Sequence, residues 1–373
     1  MKNQTKLWVT VGIVVAIVIA LIAVFPVQKQ EEEVIKVGYL AVLSGPAASA
    51  WGFYGRDAAE MAVDEINKYG DVKIEIIWGD SAAKPEQGVT EFKKMNDIDK
   101  PDVFVVDASG VASAVEPLAD TYKKPIIFGA VALIGITNQS EYLFRNFYTC
   151  DKSAPLLAEK VYKMGIKRIG ILSQNEPYGQ SCSEYFRKTF EKLGGEITTE
   201  EKFMLSDFEF RTQLMKIDAT NPDAIYINGY EKWLLEIVKE MKELGINRTI
   251  LSEMVIYAPV IREKILNLTN PPDLYITTTK FYTGYEKAAE FQQKFKEKYG
   301  KEPPYLAGYI YDTFRIIAKA DEMSKKQGIP LREALLKVKI NGVSGRLEFD
   351  ENRETHAEML FVKVNKDGSL SLE

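Results

Sequence analysis

Three short stretches of this 373-residue chain combine residues able to hold a small polar molecule. Asp107-Ala108-Ser109-Gly110 lies where an apolar run ends and a helical pattern begins. A serine hydroxyl beside the free N–H groups of a first helical turn suits a carboxylate; the same serine would also serve as a plain N-cap. Ser252-Glu253-Met254 ends the apolar run from Thr249. A carboxylate facing a cleft there could hold an ammonium group, or it could stay solvated at the surface. Ser44-Gly45-Pro46 leads to Trp51-Gly52, just ahead of a helical pattern. The Trp51 indole could form an apolar wall for a ligand, or pack on its own domain. Asp80, Asp107 and Glu253 would make an acid–base set for an extracellular hydrolase only if they converged. No G-x-S-x-G nucleophile motif accompanies them.

Other chemistries lack material. The single histidine, His356, lies in a charged stretch, so a histidine-dependent triad or a histidine-rich zinc site is excluded. No metal or cofactor is expected. Net charge is −5 with no basic block, which argues against nucleic acid as a partner. Cys150 and Cys182 are too few for a disulfide scaffold. One bridge between them is possible in an oxidising compartment; two buried free thiols are the alternative.

The elements that must position these loops read as a βα repeat. Val34–Leu43 is an apolar run, and Asp57–Tyr69 repeats apolar residues at helical spacing. Strands are expected at 72–78, 103–106 and 126–128, with helices over 85–95 and 111–122 between them. The pattern resumes with helices over 155–164, 181–193, 232–244 and 259–266. Strands are expected at 168–173, 224–228, 249–251 and 274–278. Helices over 287–299, 304–323 and 330–338 follow, then strands at 346–349 and 359–364. Alternation of this kind gives an α/β fold with parallel sheets, and ligands of such sheets sit beyond the carboxyl ends of the strands. The length suggests two domains, and no low-complexity linker separates them.

Leu7–Phe25 contains no charge, follows Lys2 and Lys6, and precedes Glu31-Glu32-Glu33. Nineteen uncharged, largely apolar residues reach across a bilayer at about 1.5 Å per residue. The end, Ala23-Val24-Phe25-Pro26, is a poor cleavage site, which favours an uncleaved anchor over a removed signal. Either way the remainder is expected outside the cytoplasm.

With these loops in place the chain resembles the branched-chain amino acid binding proteins of ABC importers, with the type I periplasmic-binding-protein fold. The marks are Ile35-Lys36-Val37-Gly38 leading to Leu43-Ser44-Gly45-Pro46, then Trp51-Gly52, Gly55, Asp80, Tyr178-Gly179, Gly229-Tyr230 and Gly345 before Phe349-Asp350. The resemblance implies two doubly wound, Rossmann-like domains joined by a three-strand hinge. Residues 35–147 with 280–342 would form the first domain, and 148–279 with 343–373 the second. Residues 1–33 would be the anchor or signal and a short linker. It further implies a ligand-binding receptor, not an enzyme, that hands a small molecule, an amino acid foremost, to a permease. An amide or an aromatic acid is the alternative ligand, and a sensor the alternative role. Ser109 would bind the ligand carboxylate, Trp51 would be the lid, Tyr178 and Tyr230 would reach in from the second domain, and Glu253 would meet the ammonium. The Gly129-Ala130-Val131-Ala132 loop would line the site. Two positions depart from the family: Gly110 stands for a second serine, and Ala132 for a threonine. The latter removes a hydrogen bond worth on the order of 1 kcal/mol.

Overall fold

The computed structural model describes residues 33–373 apart from Pro46 and residues 268–271, and leaves out the side chains of Ala50, Trp51, Glu231 and Val260. The apolar stretch Leu7–Phe25 lies outside the described residues. Among the described residues no helix is long and apolar enough to cross a membrane.

Two sheets carry the ligand loops. The first contains β1 (Val34–Ala41), β2 (Lys73–Asp80), β3 (Val103–Asp107), β4 (Ile126–Ala130) and β5 (Leu143–Arg145), in the order β2-β1-β3-β4-β5. β1, β3, β4 and β5 pair in parallel. Every residue of β3 is buried, as expected for a parallel strand covered on both faces. The second sheet contains β6 (Arg168–Gln174), β7 (Glu196–Phe203), β8 (Ala224–Asn228), β9 (Thr249–Glu253) and β10 (Leu274–Thr278), all parallel. A two-stranded hairpin of β11 (Lys339–Asn341) and β12 (Arg346–Glu348) stands apart. β13 (Leu360–Val364) and β14 (Leu370–Leu372) then join β10 antiparallel, giving the order β14-β13-β10-β9-β8-β6-β7. The second sheet is therefore mixed at one edge; β13 and β14 are joined by a short turn, which allows only an antiparallel pair.

The long helix Tyr305–Gln327 lies along helix Phe53–Tyr69 and over β4, and so belongs to the first sheet's core. A side chain at Gly308 would place its Cβ 2.7 Å from the Phe281 ring, so this close approach requires glycine. Helix Cys150–Lys163 packs on helix Pro177–Lys192, and Cys150 and Cys182 are joined there by a disulfide, with their Cα atoms 4.8 Å apart.

The chain passes between the sheets after β5, after β10 and before β13. Asn146, wholly buried, donates to the Tyr309 carbonyl at 3.0 Å and accepts from Thr355 Oγ1 at 2.9 Å. Buried Arg145 donates to the Leu133 carbonyl and to the Glu354 carboxylate. Asp312 accepts the Val343 and Ser344 N–H groups at 2.9 and 2.7 Å. Residues 343–355 thus keep their contacts on the first sheet's side.

Several segments differ from the sequence pattern, among them the unexpected helix Arg211–Ala219. The helix over 111–122 is two helices, Ser109–Val115 and Leu118–Tyr122, split at Pro117, which lacks the N–H a continuous helix needs. β5 and β7 had no apolar alternation to announce them. β7 is an edge strand whose sequence EITTEEKF carries charge along an exposed flank.

Candidate functional site

The carboxyl ends of strands from both sheets border one small cavity. Ser109, Ala130 and Ala132 line it from the first sheet's loops, and Tyr178, Tyr230 and Val255 from the second's. Phe147 and Tyr148, at the chain crossing after β5, and Tyr305 and Leu306, opening the long helix, complete the wall.

Ser109 reaches the wall because of an unusual turn. Ala108 sits at φ 68°, ψ 123°, a conformation an alanine adopts only at a cost on the order of 1–3 kcal/mol. The turn lets the chain leave β3 and start a helix at once, with the Ser109 side chain at the strand end. On the neighbouring strand, Asp80 accepts the N–H groups of Leu43, Ser44 and Ala82 at 2.9, 3.2 and 2.9 Å. Partial burial pushes its carboxyl up, but these donors and the Ser44 hydroxyl outweigh burial and hold it below the usual range. Asp80 is thereby a clamp on the loop after β1.

The aromatic wall is ordered. The Tyr178 and Tyr230 rings are parallel within 3°, with centroids 5.9 Å apart. The Tyr148 and Tyr178 hydroxyls are 3.1 Å apart. Tyr148 and Phe147 each meet Tyr305 at 5.9 Å. Gln174 at the end of β6 accepts the Tyr230 N–H at 2.9 Å and so fixes where that ring begins. Burial pushes the Tyr148 hydroxyl well above its ordinary titration range, so it remains a neutral donor and acceptor.

Two buried carboxyls lie off the wall. Glu253 is fully buried. It accepts from the Tyr226 hydroxyl at 3.0 Å and the Thr277 hydroxyl at 2.7 Å, one on each oxygen. Burial pushes its carboxyl up, against the pull of those donors. Asp107 is also fully buried, accepts from the Tyr39 hydroxyl at 2.6 Å on Oδ2, and has no donor on Oδ1 among the described residues. Burial raises its carboxyl to about 7, with the Tyr39 hydroxyl opposing.

Of the residues singled out in the sequence, Ser109, Ala130, Ala132, Tyr178 and Tyr230 are brought together on the cavity wall. Glu253 is placed behind the wall, in its own hydrogen-bond set. The side chain of Trp51 lies outside the described residues. Asp80, Asp107 and Glu253 each have separate partners and form no shared set. Sequence reasoning missed Phe147, Tyr148, Val255, Tyr305 and Leu306 as wall residues. An aromatic pair at an expected chain crossing, and a tyrosine opening a helix after Pro303-Pro304, were the available signals.

The two sides of the cleft touch. A Cβ on Gly110 would lie 3.2 Å from the Glu176 carboxylate, which comes from the second sheet. Arg262 pairs with Glu302 at 2.8 Å, and the Tyr257 and Tyr282 rings meet at 4.9 Å.

Known proteins share this arrangement. A curated Leu/Ile/Val-binding protein of Rhizobium johnstonii is 27% identical over 226 residues, which is 58% of this chain and 60% of that protein's length. The chain is matched over less than two thirds of that relative. A branched-chain amino acid transporter substrate-binding protein from Streptococcus pneumoniae, solved with isoleucine, is 25% identical with a TM-score of 0.80, covering 91% of this chain and 98% of that one. A solute-binding protein of an ABC transporter from Rhodopseudomonas palustris, solved with 3,4-dihydroxybenzoic acid, shares the fold at 24% identity and a TM-score of 0.80, covering 90% and 95%. The sequence profile described as periplasmic binding protein matches residues 34–369, nearly the whole described body. With two βα sheets facing one cavity and a profile match of that extent, the chain belongs to the periplasmic binding protein family, type I.

Proposed function

We propose that the chain is the extracytoplasmic receptor of an ABC importer, closing two lobes on a small organic acid and delivering it to a membrane permease. The observation that carries the reading is a cavity shared by loops of both sheets, with Ser109 on its wall. A ligand touching both sides stabilises the closed arrangement, because only closure completes its contacts. The lobes are residues 35–147 with 280 onward, and 148–279 with the end of the chain. The contacts of Arg145 and Asn146 with Glu354 and Thr355 favour a third crossing between Thr355 and Leu360 over one at Val343.

The ligand's carboxylate is anchored by the Ser109 hydroxyl. An amino acid is supported by what the Rhizobium and Streptococcus proteins are named for or hold, and an aromatic acid by what the Rhodopseudomonas protein holds. The Leu7–Phe25 stretch tethers the receptor to the outer face of the membrane, or acts as a cleaved signal. The test is titration calorimetry of Ser109→Ala. Loss of a hydrogen bond to a charged group should weaken binding by about 1–3 kcal/mol with the melting temperature nearly unchanged. Unchanged affinity would remove Ser109 from the site.

A further inference from the structure

The residues around the cavity restrict the ligand further than its being an acid. An α-ammonium brought out of water needs an anionic or strongly accepting partner at hydrogen-bond distance. Among the described residues no Asp or Glu side chain lines the cavity. The nearby candidate, Glu253, has both oxygens engaged, by Tyr226 at 3.0 Å and Thr277 at 2.7 Å, and is wholly buried behind the wall. Turning it toward a ligand would leave two buried hydroxyls without their acceptor. Ala132 offers only a methyl group where a hydroxyl acceptor could have stood. Among the described residues no cation lines the cavity either, so this wall suits a single carboxylate held by neutral donors.

The remainder of the wall is aromatic. Half of its ten residues are Phe or Tyr, and the Tyr178 and Tyr230 rings lie parallel at 5.9 Å between centroids. Such rings favour edge-to-face and offset contacts with another ring. The facing hydroxyls of Tyr148 and Tyr178 could also pair with a ring substituent such as a phenol.

From this arrangement we infer that the ligand is an aromatic monocarboxylate without an amine, its carboxylate at Ser109 and its ring among the tyrosines. This rests on the receptor reading above and narrows it. Glu253 is then a structural residue that fixes Tyr226 and Thr277, not a ligand contact.

The test uses the full chain in mild detergent, its unfolding followed by tryptophan fluorescence against benzoate, 4-hydroxybenzoate, leucine and isoleucine. The expected result is a saturable rise in melting temperature with the two benzoates and none with the two amino acids at the same concentrations. Calorimetry should then give Glu253→Gln an affinity for the better benzoate within about threefold of wild type. Tyr230→Leu, which keeps the volume apolar but removes the ring, should lose tenfold or more. If Glu253→Gln fails to fold, the wild-type ligand comparison and Tyr230→Leu still decide. Tighter binding of leucine or isoleucine than of either benzoate, or a tenfold loss in Glu253→Gln, overturns the inference. If Ser109→Ala weakens that amino acid binding, the receptor reading stands. Binding of neither class overturns both.

Discussion

Asp107 ends β3, directly before the turn that carries Ser109. Its carboxyl is raised to about 7 by burial, and the only donor it meets among the described residues is the Tyr39 hydroxyl on Oδ2. An unfolded aspartate titrates near 3.9. Between about pH 4 and pH 7 the folded chain keeps this proton while the unfolded chain has released it. The folded state binds more protons, so stability falls as pH rises through that window and levels off above it. The full effect is on the order of 4 kcal/mol for a shift of that size. Asp107→Asn cannot titrate, so its melting temperature should gain on wild type from pH 4 to 7 and then hold steady. A wild-type-minus-variant difference that is flat from pH 4 to 8 would contradict the assignment. At this scale the sequence showed the polar end of the site better than the apolar part. Ser109, Tyr178 and Tyr230 stand at strand ends before helices, where position alone suggests a role. Tyr305 and Val255 reach the cavity only through the folding of distant segments, which spacing does not encode. Glu253 occupied a strand end too, yet its neighbours Tyr226 and Thr277, on adjacent strands, took up its oxygens.

Two helices of the second lobe are tied together by the Cys150–Cys182 disulfide. A cross-link closing a loop of this separation, 32 residues, stabilises by about 4 kcal/mol, mainly by restricting the unfolded chain. Reduction with dithiothreitol should lower the melting temperature by several degrees. The unfolded, unreduced chain should take up no alkylating agent. Two alkylated thiols in that experiment would refute the bridge. The element pattern of the first lobe was legible because its strands are buried runs such as VFVVD, bounded by helical periodicity. β7 was not, since an exposed edge strand needs no apolar alternation and its charged flank guards against pairing with other chains. The helix expected over 111–122 broke at Pro117, a signal present in the sequence but weaker than the apolar spacing on either side of it.

At the scale of the molecule, two sheets of alternating βα units meet around one aromatic cavity, and three chain crossings join them. The alternation was readable from the order of patterns. Arg145 and Asn146 hydrogen-bond with Glu354 and Thr355 more than 200 positions away, contacts that residue spacing does not encode. Arg262 and Glu302 also pair across the two sides, partly exposed and so of modest strength.

The most direct test of the account is the distance between the lobes as ligand is added. Ile98 and Met215 are exposed, one on each lobe, and spin labels at Ile98→Cys and Met215→Cys would report it by pulsed electron resonance. With a saturating acid the account predicts that the distance distribution changes to a single narrower one, and that the Ser109→Ala background needs more ligand for the same change. A distribution that stays the same under saturating ligand would contradict closure on a shared site.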